Sequence, residues 1–364
     1  MSSQPGLLPR AAVAALIARG AISAERVIEP SQIQPASLDM RLGREAYRLR
    51  ASFLPGRTMT VRERLDSFAS ERVALEGEGA VLEKGIVYIA PLAERLALPQ
   101  GLAGAANPKS STGRLDIFVR LIVDNGAAFD EAPAGYNGPL WVEISPRSFS
   151  VRVREGTRLN QLRLREAARV SLTDEDLRAR HAHAALVDGP LALRDGLVVH
   201  VGLAGEGIVG FRALKNSSVI DVDKPGAYAA EDFWEPIRAR AGRLILDPDE
   251  FYILASREKM HIPADLAAEM AAVDPALGEF RVHYAGFFDP GFGWTASGAP
   301  GARAVLEVRG RDVPFLLEDG QPIGRLVFEP LASAADALYG AIGGSNYQGQ
   351  GLKLSKHFRP WEER

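Results

Sequence analysis

The chain has 364 residues, 46% hydrophobic and 24% charged, with a formal net charge of −3, a length and balance that suit two soluble globular domains. No basic excess recruits duplex nucleic acid, and no apolar stretch reaches membrane-spanning length. The absence of cysteine removes disulfides, thiolate nucleophiles and cysteine-held zinc, and with no secretory-signal pattern the expected location is the cytoplasm.

In chain order, residues 8–22 show helical spacing and end near Gly20, which predicts a short amphipathic helix. From Gln32 the apolar runs become short. Residues 81–82 with 86–89, 117–123, 140–144 and 149–153 read as strands punctuated by Gly, Pro, Asn and Asp. Residues 171–183 are polar and acidic and read as a linker with a helical turn capped by Thr173 or an Asp. Further strands are expected at 243–246, 251–254, 280–284, 304–308, 315–317 and 325–328. The last stretch, 339–358, carries Gly-Gly-Ser-Asn-Tyr-Gln-Gly-Gln-Gly. It reads either as a frayed terminus or as a lid over a ligand.

The two sets of strands are one pattern used twice. A shift of 164 positions carries Tyr88-Ile89 onto Tyr252-Ile253, Glu94 onto Glu258, Pro99 onto Pro263, Glu143 onto Glu307, Gly156 onto Gly320 and Leu162 onto Leu326. That period is too long for a solenoid and argues for a duplicated domain. The expected layout is a first domain at 1–170, a linker at 171–189 and a second domain at 190–364. Many short strands with regular turns suggest a sandwich or distorted barrel in each copy.

The copies differ where chemistry is expected. Lys109-Ser110-Ser111-Thr112-Gly113-Arg114 offers two cations and three hydroxyls to an anion. It lacks P-loop spacing, and by itself it reads first as an ordinary surface turn. Its counterpart near 273–278 is acidic and apolar, Val-Asp-Pro-Ala-Leu-Gly. Glu143 and Glu307 each sit among apolar strand residues. Such a carboxylate is commonly the outward residue of a half-buried strand; the alternative is a general acid/base with a raised pKa. Phe288-Asp289-Pro290-Gly291-Phe292 is a turn by composition, and an Asp beside an aromatic can also hold a sugar. The six histidines show no metal-ligand spacing.

Together these motifs resemble the dCTP deaminase branch of the trimeric dUTPase-like family, in its tandem form. Residues 34–43, Gln-Pro-Ala-Ser-Leu-Asp-Met-Arg-Leu-Gly, are similar to the family's opening strand, and 109–114 to its phosphate motif. Ala285, 289–292 and 305–307 resemble the pyrimidine and catalytic segments, 319–331 the strands that follow, and Tyr339 with 345–351 the nucleotide-covering tail. The resemblance implies a mainly β fold of two tandem distorted jelly-roll barrels with a short N-terminal helix. It also implies a composite site. Lys109, Ser110, Ser111 and Arg114 would take the triphosphate, and Ala285, Asp289 and Phe292 the nucleoside. Tyr339, Tyr347 and Gln350 would close over it, with Glu307 as catalyst and Glu143 as the alternative. Asn346 stands where the family tail often carries Lys, and 295–303 lengthen the approach to Glu307.

The reaction so implied is hydrolytic removal of ammonia from C4 of dCTP, giving dUTP for pyrimidine deoxynucleotide metabolism. A glutamate moves the protons without zinc, no protein-held metal is expected, and Mg²⁺ travels on the triphosphate. Alternatives are a dUTP pyrophosphatase, a bifunctional enzyme and a non-catalytic nucleotide-binding regulator. The implied partners are dCTP, dUTP and further copies in a homo-oligomer, with no nucleic acid or membrane. The sequence leaves open feedback by dTTP and whether the composite site forms within one chain or between chains.

Overall fold

A computed structural model describes residues 5–166, 168–272, 280–283, 286–341 and 346–362. The chain divides into two compact units, one of Met1–Arg169, Ser218–Ala227 and Leu331–Asp336, the other of Val170–Ser217, Tyr228–Pro330 and Ala337–Arg364. Both are mainly β, as expected.

Unit 1 is built on an antiparallel sheet in the order Ala69–Ala74, Glu45–Leu49, Val87–Ala97, Asn137–Pro146, Ile117–Val123, with Ile22–Ala24 beside Val87–Ala97. Side chains alternate across a strand. Thus Tyr88, Ala90, Val119, Leu121, Val142 and Ile144 share one buried face. Fully burying each aliphatic member of such a set contributes about 1.5–3 kcal/mol. The opposite face carries Tyr47, Ile89, Glu143 and Arg120 on a single rung. It is covered by a helix, Val61–Phe68, whose Val61 and Leu65 pack with Leu49, Ile89, Ile122 and Trp141. A second sheet runs Leu38–Met40, Asn160–Glu166, Leu102–Pro108, Glu131–Ala132. A third joins Ala80–Leu82, Val151–Val153 and Ile220–Asp221, the last pairing in parallel. That downstream strand is held by Arg154, whose Nη1 and Nη2 donate to the two carboxylate oxygens of Asp221 at 2.7 and 2.6 Å.

Unit 2 repeats the plan. Its larger sheet runs Trp234–Ile237, Gly210–Ala213, Phe251–Met260, Ala302–Gly310, Phe280–His283. The equivalent rung reads Phe211, Ile253, Glu307, His283. The smaller sheet runs Leu197–His200, Pro322–Pro330, Leu266–Ala272, Phe287–Phe288. The repeat extends to single bonds. The Glu83 amide donates to the Tyr88 hydroxyl at 3.1 Å, and the Asp247 amide to the Tyr252 hydroxyl at 2.9 Å. Gly156 and Gly320 both turn at positive φ, +88° and +75°, where a side chain would be strained.

Two local expectations are revised. The N-terminal helix spans Arg10–Ala18; Gly20 at φ +75° ends it and 22–24 form a strand. The 171–183 stretch is a ten-residue helix, Asp174–His183, capped by Thr173 with Asp176 answering three residues on. Leu177, Leu186 and Val187 of the 171–189 stretch join the unit 2 core. The Val61–Phe68 helix was not anticipated, although Thr60 and Glu63 form a capping box that announces it.

Candidate active site

The phosphate-loop residues lie in unit 1. The Leu102–Pro108 strand ends in a single turn, Ser110–Gly113, with the Thr112 and Gly113 amides donating to the Lys109 carbonyl at 2.8 and 3.0 Å. Ser111 and Arg114 are buried, and Ser110 is half-buried. The Lys109 ammonium is engaged by the Asp39 carboxylate, which also accepts from Gln34 at 3.4 Å. The loop therefore arrives with part of its charge compensated.

Glu143, also in unit 1, is 2% exposed. Arg120 stands opposite it on the neighbouring strand and donates to Oε1 through Nη2 at 2.6 Å and Nε at 3.1 Å. The guanidinium carbon is 3.5 Å from the Phe129 ring centre and 4.6 Å from that of Phe118. Asp130, in a left-handed conformation at φ +62°, accepts the Leu121 amide at 2.8 Å. The first copy's carboxylates are thus committed to internal partners. Arg120 escaped the sequence reading because pairing across strands depends on register. An arginine inside the apolar run 117–123 was the available signal.

In unit 2 the structure gathers most of the other anticipated residues. The Asp289–Gly293 turn is locked to the preceding strand end. The Gly291 amide donates to the Ile262 carbonyl at 3.0 Å and the Ile262 amide to that of Phe292 at 2.9 Å. The adjacent His261 is 9% exposed, and burial holds its imidazole below the usual histidine range. The Tyr339 amide donates to the Pro290 carbonyl at 2.7 Å, and its ring packs on Phe292 at 5.6 Å. The tail then returns over the same turn. Gln348 accepts the Gly293 amide at 3.0 Å and donates to the Gly291 carbonyl at 3.1 Å. Gln350 exchanges bonds with the Arg303 backbone, four residues before Glu307. Asp289, Phe292, Tyr347, Gln350 and Glu307 are all buried. Ala285, the 273–278 counterpart of the phosphate loop and Ser345 lie outside the described residues.

The tail is fastened beyond this point, a feature the sequence reading missed. Phe358 packs among Tyr228, Phe233 and Trp234, with ring centres 5.3 to 6.5 Å apart. Trp361 meets Phe211, the residue on the Glu307 rung, at 5.3 Å. Residues 339–341 and 346–358 are therefore held on unit 2 rather than forming a loose end. Among the described residues no three His, Asp or Glu side chains gather as a metal site, and no helix is long and apolar enough to cross a membrane.

Known proteins place this geometry in a family. The model of the 2'-deoxycytidine 5'-triphosphate deaminase N-terminal domain matches residues 4–168, and that of the C-terminal domain residues 173–358. A dCTP deaminase from Natronomonas pharaonis is 31% identical over 149 residues, 40% of this chain and 73% of that protein. A dUMP-forming dCTP deaminase from Mycolicibacterium vanbaalenii is 31% identical over 145 residues, 38% of this chain and 71% of its own length. The crystal structure of 2'-deoxycytidine 5'-triphosphate deaminase from Agrobacterium tumefaciens superposes with a TM-score of 0.86 at 50% identity, covering 90% of this chain and 99% of that one. With both halves matched in order, and the fold shared along nearly the whole length, this chain belongs to the dCTP deaminase family.

Proposed function

We propose that the chain hydrolyses dCTP to dUTP and ammonia, with Glu307 moving the protons. What carries the activity is the match to a dCTP deaminase over 90% of this chain at 50% identity. What favours Glu307 over Glu143 is the compact Asp-Pro-Gly-aromatic turn at 289–292 in its own copy, with Tyr339 packed on Phe292. In this reading Glu307 takes one proton from water as its oxygen bonds to C4 and passes it to N3, then takes the second from the C4 hydroxyl and gives it to the amine as the C4–N bond breaks, C4=O forms and ammonia leaves. Pocket hydroxyls and backbone amides offset charge developing on the ring. Ser110, Ser111 and Arg114 bind phosphate, with Lys109 supporting them. Ala285, Asp289 and Phe292 hold the nucleoside, and Tyr339, Tyr347 and Gln350 close over it. Mg²⁺ belongs to the substrate, riding on the triphosphate. We read each unit as a distorted jelly-roll barrel, and the enzyme as a cytoplasmic homo-oligomer.

A second reading has a specific observation behind it, because several relatives are named dUMP-forming. In that case the same chain also releases pyrophosphate. The deciding experiment follows ammonia and pyrophosphate from dCTP with Mg²⁺ in wild type, Glu307→Gln and Glu143→Gln. Ammonia lost only in Glu307→Gln supports the assignment. Loss only in Glu143→Gln reverses it, and no ammonia from wild type removes the deaminase reading. Pyrophosphate accompanying ammonia establishes the bifunctional form.

A further inference from the structure

Glu143 and Glu307 occupy equivalent rungs of their sheets, yet Glu143 has an internal occupant of particular shape. Arg120 presents a flat cation to it, with Nη2 also donating to the Ser52 hydroxyl at 2.9 Å. Phe129 lies under the guanidinium and Phe118 beside it. Only one carboxylate oxygen is used. Oε2 of Glu143 is buried with no hydrogen-bond partner among the described residues. A bidentate pair would engage both oxygens, and a buried orphan acceptor is costly. The arrangement is that of a carboxylate in an aromatic-walled slot receiving a planar N–C–N group.

Cytosine presents the same group at N3, C4 and N4. We propose that the slot beside Glu143 is an amidinium-binding site that the chain keeps filled with its own Arg120, an internal imitation of the base. This rests on the reading that Glu307 works at the amidine of cytosine. The first copy then retains the recognition chemistry of a base pocket but is closed to ligand. Its ligand class is small planar amidinium or guanidinium cations, admitted when the arginine is removed.

The test uses full-length Arg120→Gly and acetamidinium chloride, compared with sodium chloride at equal ionic strength. Acetamidinium at tens of millimolar is expected to raise the melting temperature of Arg120→Gly by several degrees. It should leave wild type, whose slot is full, and Arg120→Gly/Glu143→Gln, whose acceptor is neutral, unmoved. Equal shifts in all three proteins, or none in Arg120→Gly, overturn the proposal. Should Arg120→Gly not fold unaided, refolding yields with and without acetamidinium read the same question. Recovery only with the cation, and only while Glu143 is present, supports the site; equal yields overturn it. Failure here leaves ammonia release by wild type untouched, and failure of wild-type turnover leaves the melting shifts untouched.

Discussion

The two copies share a scaffold and differ in what touches its carboxylates. Glu94 in unit 1 accepts from the Arg41 amide at 2.9 Å, Arg41 Nε at 2.8 Å and Gln32 at 2.9 Å. Its counterpart Glu258 accepts from the His200 amide at 3.1 Å and His200 Nδ1 at 2.5 Å. On the larger sheet, Glu143 faces an arginine in register and Glu307 a histidine position. Beside Glu94 the first copy carries a permanent cation; beside Glu258 the second carries an imidazole. The covering of the sheet differs as well, a helix in one copy and the C-terminal strap in the other. Duplication kept the backbone plan and the buried tyrosine bonds, and specialised the polar contacts.

The comparison can be broken most decisively at the glutamates. Glu307→Gln is expected to lower ammonia release from dCTP by roughly 10²–10⁴-fold, the range for loss of a general acid/base. Glu143→Gln should keep the rate within a few-fold, and steady-state assays of the two read the contrast directly. Next in size is Arg120→Ala. It strands a buried carboxylate and should cost about 3 kcal/mol in denaturant unfolding. Glu94→Gln should cost about 2–3 kcal/mol, more than Glu258→Gln, because it disturbs three donors including a charged one. Equal losses would dissolve the distinction between the arginine and histidine pairs. Phe358→Ala should loosen the strap and raise KM for dCTP several-fold, with a smaller change in kcat; an unchanged KM would make the strap purely structural.

The smallest expected effect is a pH dependence confined to unit 1. Paired with Arg154, the Asp221 carboxyl is held at about 2, below the ordinary aspartate value of 3.8. A depressed carboxylate stabilises the fold above its unfolded pKa. That contribution is complete above pH 4 and is lost as pH falls through 2. Asp221→Asn should flatten this part of the acid-unfolding curve, measured by circular dichroism. An unaltered slope between pH 4 and 2 would mean that the pair contributes nothing.

Much of this was legible in the residues. The 164-residue shift that aligned Glu143 with Glu307 is the one that superimposes their rungs. The Asp289–Gly293 turn and Tyr339 come together as the motif suggested. What escaped depends on tertiary register. No local pattern says that Arg120 will face Glu143, because facing is decided by strand alignment. Nor does the aromatic content of 358–361 announce that it will dock on Tyr228 and Phe211, which lie over a hundred residues earlier. The same limit hid the strand Ile220–Asp221, whose two residues carry no pattern of their own.

That short strand also sets an order of events. Unit 1 takes a strand from 220–221, clamped by Arg154, and its Leu7 pairs with Leu331. A chain emerging from the ribosome at about 5–20 residues per second therefore cannot finish its first domain when residue 169 appears. It must wait until much of the second copy has been made. A cut at residue 170 would take from the upstream half both the 220–221 strand and the Asp221 partner of Arg154. The fusion has become a ratchet, with each generation inheriting a first domain that its own downstream sequence completes.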